Sequence, residues 1–145
     1  MENMTLTYPA KIEQHEGSHC ISFRDLDGCQ TYGDSQEEAC AMAQEALDLY
    51  LETCLQEGLK ITEPSKSQSD EISIAPSMEI AVPVMLKIYR EENHKSVTQM
   101  ASAMEIPYQN YLSLENGKRK NLTVSTIKKA FAALGYIPEI TLRIA

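Results

Sequence analysis

The hydrophobic spacing of this chain changes period near Ser77, and that change limits what it can fold into. Before Ser77 short stretches of alternating apolar and polar residues surround one helical stretch; after it the spacing is helical. Alternation is the period of a half-buried strand, and recurrence every three to four residues that of an amphipathic helix. Such a chain is expected to be α+β, with its strands first and an all-α part behind them.

Residues 4–14, MTLTYPAKIEQ, place Met4, Leu6, Tyr8, Ala10 and Ile12 on one face of a first strand. Pro9 has no N–H for a ladder, so its N–H side is expected at a sheet edge. A turn at Gly17 leads to a second strand over 19–24, with Ile21 and Phe23 inward. Asp27-Gly28 is a tight-turn signal, which predicts a third short strand at Cys29 to Tyr32. A helix follows. Ser35 stands three residues before Glu38, the spacing of a capping box, and Gly58 is a fitting stop. Its outer face carries Gln36, Glu37, Glu45, Asp48 and Glu52. Residues 61–71 lack periodicity and read as a linker open to proteases. Ile72 and Ile74 predict one more strand. The order is βββαβ over residues 1–75.

Residues 77–145 form the second expected unit. Pro83 suits the first turn of a helix with Met85, Ile88 and Tyr89 on its apolar face. Residues 97–104 predict a second helix, capped by Thr98 or Ser96. Pro107 opens a third, ended by Gly117, and Thr123 or Ser125 opens a fourth, ended by Gly135. The tail alternates Ile140, Leu142 and Ile144, which predicts a strand with nothing in its own half to pair with. A second copy is the simplest partner, giving a homodimer or a higher even-numbered oligomer.

The net charge of −8 hides an asymmetry. Residues 1–78 hold four basic residues against fifteen acids, a net −11; residues 79–145 hold nine against six, a net +3. The first part repels nucleic acid and attracts a basic partner, and the second can approach phosphates. No apolar run approaches the roughly 20 residues of a membrane span. The start, MENMTLTYPAK, lacks the pattern of a secretory leader. A cytoplasmic protein with reduced thiols is expected. Cys20, Cys29, Cys40 and Cys54 form no C-x-x-C pair, and His15, His19 and His94 complete no zinc spacing. No metal or other cofactor is expected.

In FRDLDGCQTYGDSQEEA, Asp25 and Asp27 stand two residues apart, a spacing that can hold magnesium. A two-metal centre needs three or four convergent acids, and Asp34 lies at a turn. The plainer reading has Asp25 and Asp27 shaping a turn and Asp34 with Ser35 starting a helix. Cys29 has no partner base in view and makes a poor nucleophile. The expectation is not an enzyme.

The segment Thr98 to Gly135 contains T-Q-x-x-A (Thr98, Gln99, Ala101), a turn at Glu105-Ile106, then E-x-G-K-R (Glu115, Gly117, Lys118, Arg119) and A-x-A-x-L-G (Ala130, Ala132, Leu134, Gly135). It resembles the helix-turn-helix of the phage Cro and repressor family. The resemblance implies that Tyr108, Gln109 and Asn110 face bases in a major groove. It places Gln99, Lys118, Arg119 and Lys120 against phosphate. Two positions depart from the family pattern: Glu105 stands where glycine is frequent in the turn, and Leu112 where serine is frequent.

The first 65 residues resemble a HicB antitoxin. The matching residues are Tyr8-Pro9-Ala10, Ser22 to Ala39, Ala43 to Leu47, and Thr62-Glu63-Pro64, with Asp27 where the family commonly has proline. The resemblance implies a partial RNase H-like domain without catalysis. It also implies a partner: a small basic, mRNA-cleaving HicA-type toxin whose active site the acidic half masks. Asp25, Asp27, Glu37, Glu38, Glu45 and Asp48 are the expected toxin contacts. The helix-turn-helix half would then dimerise on double-stranded operator DNA and repress the operon. Two rivals are a stand-alone regulator with a sensing first domain and an active RNase H-like nuclease.

Overall fold

Two residues with positive φ, Glu16 at 46° and Gly17 at 85°, close the first hairpin. They join β1 (Tyr8–His15) to β2 (Ser18–Phe23) through the two-residue turn whose twist matches its strands. The structure, a computed structural model, describes residues 3–144. Residues 1, 2 and 145, at the outer ends of the two expected units, lie outside the described residues. Chain reversal at Leu26 to Gly28 leads into β3 (Gln30–Gly33), with Gly28 at φ 80°.

α1 (Gln36–Glu57) starts where the Ser35 hydroxyl accepts from the Glu38 N–H at 3.1 Å. The Glu38 carboxylate accepts from the Asp34 N–H, one residue outside the expected capping box. α1 ends at Gly58, φ 67°. β4 (Glu71–Ile74) completes an antiparallel sheet of order β3-β2-β1-β4. Tyr8, Ala10, Ile21 and Phe23 of the sheet pack against Ala39, Ala43, Leu47 and Leu51 of α1. Gly33 allows this approach, since a Cβ there would collide with the Ala39 backbone.

β1 is a central strand, so the expected edge position of Pro9 is corrected. Pro9 faces Ser73 of β4 and lies one residue beyond the β1–β2 register, which begins at Ala10↔Phe23. No pairing with β2 requires its missing donor.

α2 (Met78–Glu92) begins five residues before Pro83, not at it. The proline leaves the Glu79 carbonyl without its helical donor. Tertiary packing overrides that loss. Ile80, Val84 and Ile88 are buried in the first core, while Leu86 is buried in a second with Met100, Ala101, Tyr111, Leu114, Ala130 and Phe131. One helix therefore serves both halves. The second core is closed by α3 (Val97–Met104), α4 (Tyr108–Glu115) and α5 (Val124–Ala132).

The segment expected as a linker has no helix or strand over 61–70, yet it is tied down. Ile61 is buried, and the Tyr8 hydroxyl donates to the Thr62 carbonyl at 2.8 Å. The tail from Tyr136 to Ile144 forms no strand in the single chain, so the expected final strand is not seen there. Ile137, Ile140, Leu142 and Ile144 are all exposed. An alternating apolar segment without a neighbouring strand has no ladder to join.

Candidate nucleic-acid and protein interfaces

The α3–α4 pair is held by a full capping box at Ser96 and Gln99 and by a sharp turn at Glu105. Glu105 is left-handed, φ 56°, and its N–H caps α3. A glycine would hold that conformation without steric strain. Behind the pair, Glu115 is only 5% exposed. Arg90 of α2 donates to it from Nε at 2.8 Å and Nη2 at 2.6 Å, and the Tyr111 hydroxyl adds a bond of 2.7 Å. The Glu115 hydrogen bonds hold the Arg90 guanidinium above its ordinary pKa. Burial, with the Glu115 charge second, pushes the Tyr111 phenol far up. Sequence spacing marked Glu115 as part of a motif but missed Arg90, which is 25 residues away. The only local clue is Glu115 sharing a helix face with Tyr111.

Tyr108, Gln109 and Asn110 are exposed together in the first turn of α4, immediately after Pro107. A helix presented this way offers its first residues to a groove. Gln99 is partly engaged, because its Oε1 accepts from the Ser96 N–H at 2.8 Å. Lys118 and Arg119 are exposed in the loop after α4. Lys120 stands apart from them: its Nζ meets Glu52 of α1 at 2.7 Å, linking the two halves.

The acids divide into two sets. Asp25 is spent inside the fold. Its side chain is 12% exposed and accepts from the Ser65 N–H at 2.8 Å. Beside it Arg24 bonds Ser65, the Lys66 carbonyl and Glu71. These bonds hold the Glu71 carboxyl below its usual range. Asp48 accepts from the Ser77 N–H at 2.8 Å and so anchors the start of α2. Asp27, Glu37, Glu38 and Glu45 remain exposed, Glu38 while accepting from the Asp34 N–H at 3.1 Å. Among the described residues no group of three or more His, Cys, Asp or Glu converges as metal ligands would.

Between the Leu26–Gly28 turn and α1 lies an open groove of about 390 Å³, lined among others by Gly28, Cys29, Ala46, Leu49, Tyr50 and Leu59. Leu49 is 67% exposed and Leu59 52%. The Cys29 thiol points to the Ala46 carbonyl at 3.8 Å, and burial pushes it up to about 11. A thiol so raised is a weak nucleophile at neutral pH. Burial raises the Tyr50 phenol too, and Cys54 and then the Asp27 carboxylate add to the rise, so the Asp27 charge acts on the groove.

Comparison with known proteins connects the two halves to two kinds of module. Residues 7–89 match a family model described as the HicB-like antitoxin of bacterial toxin–antitoxin systems. Residues 86–140 match a helix-turn-helix model. Two curated proteins of Photorhabdus laumondii are similar over nearly the whole chain. Antitoxin HicB 1 is 27% identical over 140 residues, 96% of this chain and 87% of its own length. Antitoxin HicB 2 is 27% identical over 133 residues, 90% of this chain and 91% of its own.

Proposed function

The chain belongs to the HicB-like antitoxin family, and on that premise we propose that it neutralises a small basic, mRNA-cleaving HicA-type toxin by covering its active site, and represses its own operon by binding operator DNA as a dimer. The carrying observation is that one helix, α2, joins an acidic unit to a helix-turn-helix frame. An acidic unit suits a protein whose natural ligand is RNA, because both present negative charge to the same face.

The βββαβ order supports reading the acidic unit as a trimmed, RNase H-like fold. Asp27, Glu37, Glu38 and Glu45 are the toxin contacts; Asp25 and Asp48 act indirectly, by holding the surface in shape. On DNA, Tyr108, Gln109 and Asn110 face bases, while Gln99, Lys118 and Arg119 meet phosphate. Lys120 joins them by leaving Glu52. Two tails pair through Ile140, Leu142 and Ile144, so that two copies of α4 meet two half-sites about one DNA turn apart. The protein works in the cytoplasm. Among the described residues no helix is long and apolar enough to cross a membrane.

The test is purification of the tagged full chain from its own cells, with intact-mass analysis of the complex. A stoichiometric small basic protein is expected. A chain that emerges with no such partner contradicts the reading.

A further inference from the structure

We propose that the groove between the Leu26–Gly28 turn and α1 receives a long cationic side chain, a lysine or arginine, of the basic partner protein. This rests on the antitoxin reading and moves the centre of recognition away from Asp25 and Asp48.

Three features define the occupant. First, the lining holds no charged residue, and Leu49 and Leu59 leave apolar surface open to water. Second, the rim is acidic. Asp27 immediately precedes Gly28 and Glu45 stands one turn before Leu49 on α1; Glu52, one turn after it, is already paired with Lys120, and Lys87 donates to the Leu59 carbonyl at the groove's other end. Third, Tyr50 supplies an aromatic ring, which attracts a cation placed over its face.

An apolar interior with an anionic mouth matches a lysine or arginine, whose stem buries while its head stays at the polar edge. A purely apolar segment would cover the interior and leave Asp27 and Glu45 without a counter-charge. A second copy of this acidic half, at net −11, would bring acids against acids. Asp25 and Asp48 cannot serve in the same way, since both are partly buried and hold backbone N–H groups of their own chain.

The test is calorimetric titration of the full chain with the small basic protein that co-purifies with it, at low and high salt. Leu49→Arg fills the groove with a cation and is expected to weaken binding by about 30-fold or more, the loss of a hot spot. Asp27→Asn is expected to weaken it by about tenfold and to flatten the salt dependence. Glu79→Gln, away from the groove, leaves binding unchanged. Replacing the partner's lysines and arginines one at a time by methionine should reveal one whose effect is not additive with Asp27→Asn. If Leu49→Arg melts early, hydrogen exchange on the wild-type complex decides instead: the amides of 28–30 and 46–53 gain protection. Wild-type binding unaffected by Leu49→Arg and Asp27→Asn, no coupled cation, or no gain in protection overturns the groove while leaving the antitoxin reading intact. A wild-type chain that does not bind the basic protein overturns both.

Discussion

A carboxylate as buried as Glu115 persists only because its charge is matched: Arg90 grips it from two nitrogens and Tyr111 from a third direction. Removing one partner leaves the other charge buried alone. Glu115→Ala is therefore expected to destabilise the protein by about 3–5 kcal/mol in urea unfolding. Arg90→Met with Glu115→Leu should recover much of that loss, and a double variant no better than Glu115→Ala contradicts the pairing. Glu105 offers the opposite case. It occupies a left-handed turn position, so Glu105→Gly should raise stability by about 1 kcal/mol. That substitution also removes a negative charge near α4, the helix proposed to face DNA, so operator binding is expected to be kept or improved. The left-handed turn was foreseeable, because the family pattern has glycine there. The Arg90–Glu115 pair was not, because nothing local connects residues 25 apart.

Among the elements, the segment 61–70 departs most from its sequence reading. Low periodicity identified it correctly as lacking helix and strand. Its anchoring came from contacts that no local pattern encodes: Asp25 to Ser65 across 40 residues, and Arg24 to Glu71 across 47. Arg24→Ala should therefore speed limited proteolysis between Ser65 and Gln68 at neutral pH. Equal cleavage rates would show that the clamp holds nothing. The clamp is also pH-dependent. Hydrogen bonds from Arg24 lower the folded-state pKa of Glu71. A lowered carboxyl contributes stability above its unfolded pKa and loses it as pH falls through the folded value. Hydrogen exchange over 62–70 should thus rise below about pH 4. Pro83 followed a sound local rule and was overridden by burial, since Ile80 and Val84 extend α2 back through it; Pro9 sits in a central strand, but at a point where no β2 pairing needs its N–H.

At the scale of the whole molecule, the period changes near Ser77, but the helix that begins there is shared by both cores. α2 buries Ile80, Val84 and Ile88 on one side and Leu86 on the other. Lys120 and Glu52 add a bridge, and a Cβ at Gly117 would lie 3.3 Å from Leu55 Cδ1. The two halves are expected to unfold in one cooperative transition by calorimetry. Two well-separated transitions would show that α2 belongs to one half only. The charge asymmetry, read directly from composition, maps onto these halves and supports their division of labour. Which acids face outward was not legible, because Asp25 and Asp48 look no different from Asp27 until the chain folds back on them. The most direct measurement is messenger-RNA cleavage by the purified small basic protein recovered with this chain, titrated with the full chain. Cleavage is predicted to stop at a stoichiometric ratio and to resume as salt weakens the complex. Undiminished cleavage in the presence of excess folded chain would contradict toxin neutralisation.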